Sequence, residues 1–139
     1  MSKLNFKSQI CTSREQSERL LALGLKNETA DITTHHEYGI TTRFGIDYSK
    51  YVDLHKEQGY TEAFFENVFP AWSLHRLIEM MKKENVLISF YKTQIKVWGS
   101  IGRDIFEKTF YDKDNEWDNL CDCIEWLIKE GYFNKEYLV

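Results

Sequence analysis

Val86-Leu87-Ile88-Ser89-Phe90-Tyr91, then Gln94-Ile95-Lys96-Val97-Trp98, then the run from Asp104 to Tyr111, decide the fold class of this 139-residue chain. The first run is rich in β-branched and aromatic residues, which suit a pleated, half-buried surface. The second alternates with a period of two, and the third does so again, with Phe106 and Phe110 on one side. Gly99-Ser100-Ile101-Gly102 reads as the turn between the last two. The connections are too short for the crossover that parallel strands need. The three runs therefore predict an antiparallel three-stranded meander.

Downstream of the meander lies the best helix. Asp114 or Asn115 caps it, and Gly131 stops it. Trp117, Leu120, Cys121, Ile124, Leu127 and Ile128 form an apolar stripe, and acids crowd the first turns, where the helix dipole favours them. The tail from Tyr132 to Val139 is apolar enough to pack back on the body.

Upstream, Ser73 caps a short amphipathic helix whose inner face is Leu74, Leu77, Ile78 and Met81. It follows Phe69-Pro70-Ala71-Trp72, which holds the only proline of the chain. Proline pushes the residue before it into an extended conformation, so this segment predicts a fixed corner from strip to helix. A first helix opens at Thr12-Ser13-Arg14-Glu15-Gln16, where Thr12 with Glu15 and Ser13 with Gln16 both fit a capping box. Leu20, Leu21 and Leu23 share an arc, and Gly24 is placed to end it.

Residues 25–68 are the least legible. Ile40 to Phe44 fits a strand, Ser49 to Gln58 a short helix, and Glu62 to Phe69 either state. An irregular or inserted region is expected at 35–68. The expected architecture is one α+β domain over residues 1–139, with about three helices on one face of the meander.

Composition narrows the class further. Aromatic residues make up 15% of the chain, enough for a globular core rather than a disordered segment. No apolar run approaches the ~20 residues that cross a bilayer, so no membrane partner is expected. The first residues, Met1 to Lys7, carry positive charge with no apolar stretch behind them, which predicts no signal peptide. Three cysteines argue against a disulfide framework and for a reducing cytoplasm. The net charge of −4 is uneven: residues 112–130 hold seven acids against two lysines, whereas residues 1–26 hold five bases against two acids. This asymmetry falls short of the basic stripe of a nucleic-acid binder.

Two stretches carry a resemblance: Thr12-Ser13-x-Glu15-Gln16-Ser17-x-x-Leu20-Leu21-x-Leu23-Gly24-Leu25, and Pro70-Ala71-Trp72-Ser73-Leu74. The closing Cys121-x-x-Ile124-x-Trp126-Leu127 also fits. With these the chain resembles a set of short, uncharacterised proteins encoded in genomes, phages and mobile elements of gut anaerobes. The resemblance implies a small cytoplasmic α+β protein of phage or mobile-element origin, and it brings no catalytic residue to carry over.

Asp31, His35, His36 and Glu37 are the densest cluster able to bind metal or move protons, with His55 and His75 as further candidates. A divalent ion needs ligands converging on one point, yet adjacent histidines on a strand point to opposite faces. Exposed or cap-like roles are the simpler expectation. Cys121-x-Cys123 is no metal knuckle, because on a helix the two side chains diverge by roughly 200°. Gly99 to Arg103 lies between strands rather than before a helix, unlike a phosphate loop.

Trp126 falls away from the apolar stripe, beside Asp118, Asp122 and Glu125, and these four are candidate partner contacts. The competing expectation is that the tail or residues 38–51 cover Trp126. Trp72 either packs the corner or walls a groove. The leading functional expectation is a non-enzymatic interaction or accessory protein, with a protein partner or a second copy of itself, and with no cofactor. The alternative is a small metal-dependent hydrolase using Asp31, His35, His36 and Glu37. Weak nucleic-acid association through the positive N-terminal segment ranks third.

Overall fold

The computed structural model describes residues 8–139; the N-terminal charges at Lys3 and Lys7 invoked for nucleic-acid binding lie outside these. Helix α1 (Arg14–Ala22) is followed by strands β1 (Ile32–Glu37) and β2 (Ile40–Phe44), helices α2 (Tyr48–Glu57) and α3 (Glu62–Phe65), strand β3 (Val68–Ala71) and helix α4 (Leu74–Met81). Strands β4 (Val86–Tyr91), β5 (Gln94–Ile101) and β6 (Asp104–Phe110) then precede helix α5 (Glu116–Lys129). Short 3-10 turns at Asn27–Thr29 and Lys135–Tyr137 complete the described chain.

The mixed helices and antiparallel strands are α+β, and the expected meander is present as β4-β5-β6. Its second turn is shorter than expected. Gly99, Ser100 and Ile101 belong to β5, and the turn is Gly102-Arg103, with Ile101 opposite Asp104. Gly99 is needed for a close approach rather than for a turn. A Cβ there would collide with the Asn85 carbonyl oxygen and lie 3.1 Å from Phe106.

The expectation of a single sheet is corrected. A second antiparallel sheet, in the order β2-β1-β3, occupies the region expected to be irregular. Its central strand, Ile-Thr-Thr-His-His-Glu, shows no apolar alternation, and Thr33 and Thr34 are both buried. Threonine carries a branched apolar body under its hydroxyl, so it fills a strand interior while reading as polar. Pro70 lies within β3, an edge strand, where its missing N–H removes no ladder bond from a central position. The corner to α4 comes after it, at Trp72-Ser73.

The helix ends follow local chemistry. Ser13 and Gln16 form the capping box of α1. Ser73 Oγ accepts from Arg76 N at 3.1 Å, and Asn115 Oδ1 accepts from Trp117 N at 2.7 Å. Gly24 (φ 106°) and Gly131 (φ 79°) end α1 and α5 in the left-handed region.

The main core gathers Leu20, Leu77, Met80, Ile95, Val97, Leu120, Ile124 and Leu127 between α1, α4, α5 and the β4-β5-β6 sheet. The tail packs back as expected: Leu25 bridges to Leu138, and Val139 N donates to Gly24 O at 2.7 Å. Asn119, on the buried side of α5, is fully enclosed. Its Nδ2 donates to Thr93 O (2.7 Å) and Lys113 O (3.0 Å), and its Oδ1 accepts from Lys113 N (3.0 Å). One side chain thus fixes the β4–β5 turn and the approach to α5.

Candidate functional site

Register in the β2-β1-β3 sheet decides which side chains meet. Thr34 stands opposite Arg43 on one side and Phe69 on the other, and His36 stands opposite Thr41. Paired residues in an antiparallel ladder share a face. One face therefore carries a row Arg43–Thr34–Phe69 and, beside it, the pair His36–Thr41. The chain entering α1 crosses this face, held at the corner by Thr12 N donating to Trp72 O (3.0 Å) and by the Cys11–Ser73 bridge. Between them is a cleft of about 350 Å³, walled by the sheet row on one side and by Thr12, Ser13 and Arg14 on the other.

The electrostatics of this cleft are one-sided. Arg14 and Arg43 contribute two guanidinium groups, and the opening turn of α1 adds backbone N–H groups and the positive end of the helix dipole. Arg14 lies over the Phe69 ring, 5.3 Å from its centroid, and pairs with Glu18 through Nε at 3.2 Å. That pair is about half exposed on each side and is worth little. His36 Nδ1 meets Thr41 Oγ1 at 2.7 Å, which leaves Nε2 free of the sheet. Thr34 is 2% exposed, and its hydroxyl has no hydrogen-bond partner among the described residues. A buried hydroxyl without a partner costs about 1–3 kcal/mol. Arg43 also acts on Cys11 nearby: burial pushes that thiol up, and the guanidinium opposes the shift.

The residues anticipated as a metal or proton-transfer cluster do not gather at one point. Asp31 serves the corner: its Oδ1 accepts from Ser73 N (2.9 Å) and its Oδ2 from the Ser73 hydroxyl (2.6 Å). His35 and His36 face opposite sides of β1, as strand geometry requires. His35 Nε2 lies 3.2 Å from Glu37 Oε2 but out of line for a hydrogen bond, and the imidazole stands edge-on to Phe64. His55 stacks on Tyr51 and Phe64 in the same aromatic layer under α2 and α3. His75 is exposed and near Glu79. Among the described residues, no three of His, Cys, Asp and Glu are placed to hold a metal ion. Of the four, only His36 lines the cleft.

The partner-contact residues have mostly internal work. Trp72 is fully buried, which removes it as a groove wall; its Nε1 donates to Thr29 Oγ1 at 3.0 Å. Trp126 is half-buried against Phe106, Phe110 and Tyr132, so β6 and the tail cover it and residues 38–51 do not. Lys108 Nζ lies 5.5 Å from its ring centroid. Asp122 and Glu125 both accept from Arg19 Nη2, at 2.6 and 2.8 Å, and Asp118 accepts from Gln16 Nε2 at 2.8 Å. These acids fasten α1 to α5. The Arg19 guanidinium, helped by Lys129, holds the Glu125 carboxyl below the usual carboxylate range.

Cys121 and Cys123 are both fully buried, and burial pushes each thiol up to about 12. No described helix is long and apolar enough to cross a membrane. Thr34, Arg43 and Arg14 were not anticipated as site residues. They lie on three elements: strand register brings Thr34 and Arg43 together, and the Cys11–Thr12 contacts at the corner bring Arg14 to them. No family model, curated protein sequence or solved structure matches this chain.

Proposed function

We propose that this chain is a non-enzymatic interaction protein that takes an anionic group of its partner or ligand into the cleft between α1 and the β2-β1-β3 sheet. One observation carries the reading. Thr34, buried and without a hydrogen-bond partner among the described residues, lines a cleft whose ionisable side chains among those residues are Arg14, Arg43 and His36. Natural folds seldom leave such a hydroxyl unpaired, and a ligand acceptor is a direct way to satisfy it. Guanidinium groups and a helix start are the donors that suit carboxylate or phosphate oxygens. The one hydroxyl–imidazole pair lining the cleft, Thr41 with His36, has no carboxylate bonded to the ring among the described residues, so the reading is recognition rather than turnover.

The test is an amide and arginine side-chain NMR titration of the full chain with a panel of small anions, acetate, glutarate, sulfate and phosphate, against a chloride background. The expected result is a saturable shift confined to Thr12, Ser13, Thr34, His36 and Arg43, abolished in Arg43→Glu. Uniform, non-saturating shifts across the whole panel would refute the reading.

A further inference from the structure

From the geometry of the cleft we infer that its anion is a phosphoryl group, either inorganic phosphate or a phosphate monoester; the inference rests on the anion-binding reading above. The donors approach from several sides. Arg43 stands on β2, His36 and Thr34 on β1, and Arg14 with the first turn of α1 on the opposite wall. A carboxylate is planar, with two oxygens that a single guanidinium fork satisfies. Donors spread over two walls and a floor instead match a tetrahedral group with three free oxygens.

Charge points the same way. Two guanidiniums and the helix dipole balance a dianion better than a monoanion. Arg14 is only loosely held by Glu18, both side chains being more than half exposed, so its remaining nitrogens are free to turn inward. The 2.7 Å contact between His36 Nδ1 and Thr41 Oγ1 accommodates either tautomer, and the one in which the Thr41 hydroxyl donates puts the ring proton on Nε2 as one more donor. The Thr34 hydroxyl oxygen is itself buried, so its donation to the deepest phosphate oxygen requires the side chain to turn toward the cleft. The cleft, at about 350 Å³, holds a phosphate together with part of the molecule that bears it.

The experiment is isothermal titration calorimetry on the full chain at pH 7, with inorganic phosphate, O-phosphoserine, acetate and glutarate as separate titrants. Wild type, Thr34→Val and Arg43→Gln are compared, with circular dichroism confirming that each variant is folded. The expected result is saturable heat with phosphate or phosphoserine and none with the carboxylates. Phosphoserine binding well above phosphate assigns the ligand to a carrier molecule, and equal binding assigns it to the free ion. Thr34→Val should weaken phosphoryl binding about tenfold or more, the loss expected when a hydrogen bond to a charged group is deleted, and Arg43→Gln at least as much. Carboxylates binding as tightly as phosphate would overturn the phosphoryl assignment and leave the anion-binding reading standing. No saturable heat with any titrant would overturn both, and unchanged affinity in a folded Thr34→Val would overturn the placement of the anion in this cleft, since the unpaired Thr34 hydroxyl is what carries it.

Discussion

Replacing Asn119 with alanine deletes a buried amide that makes three hydrogen bonds, two to carbonyl oxygens and one from a backbone N–H, at 2.7 to 3.0 Å. Each such bond contributes about 0.5–1.5 kcal/mol net, and a buried group left unpaired costs more. The three together predict a loss of about 2–4 kcal/mol, a large fraction of the 5–15 kcal/mol that holds a typical domain. Urea unfolding followed by tryptophan fluorescence measures it: the midpoint should fall by roughly 1–2 M, with the slope unchanged. Asn119→Leu is the informative companion. It restores side-chain volume but leaves Thr93 O, Lys113 O and Lys113 N without partners, so it should destabilise about as much as alanine. If leucine matches wild type, or if alanine costs under about 0.5 kcal/mol, then the amide is not the lock described above.

Three further outcomes are expected. Gly99→Ala drives a Cβ into the Asn85 carbonyl and against Phe106, and should lower stability by about 1–3 kcal/mol, read by thermal unfolding; a neutral result would mean the β4–β5 pairing relaxes freely there. All three cysteines are buried and free, so a thiol reagent at pH 8 should label none in the native state and all three in denaturant; rapid native labelling would contradict their burial. Glu125 ionises more readily folded than unfolded, so its contribution is present above the unfolded value near pH 4.3 and is lost as pH falls through the lower folded value. Glu125→Gln should therefore lose less stability than wild type between about pH 5 and pH 2; parallel acid profiles would refute the Arg19 attribution.

What the sequence disclosed and what it hid divide along physical lines. Ser13, Ser73 and Asn115 were legible as caps because a cap is a local bond between neighbours in the chain. The β4-β5-β6 meander was legible because Ile95 and Val97 alternate with polar residues over one buried face. The β2-β1-β3 sheet was hidden because its central strand buries threonines, which read as surface. Trp126 lies off the main stripe, as the helical wheel has it, and is still covered, because α5 is packed by α1 on one side and by β6 and the tail on another. The cleft left no linear trace. Thr34, Arg43 and Phe69 converge through register and Arg14 through the corner contacts at the start of α1, and His36 was singled out for chemistry it does not share with its neighbours in sequence.

The Arg19 joint has a mechanical consequence. Its two short bonds to α5 anchor the middle of α1, while the start of the same helix rests on the corner of the other sheet. The two sheets are separate ladders, and α1 works as a beam between β3 of one and α5, which packs on the other. A fluctuation that lifted α1 would open the cleft at its start and uncover the α5 face it packs on in a single motion. Amide hydrogens of α1 and of the α5 face beneath it should then exchange with one common opening rate, and a ligand clamped at the start of the beam should slow both.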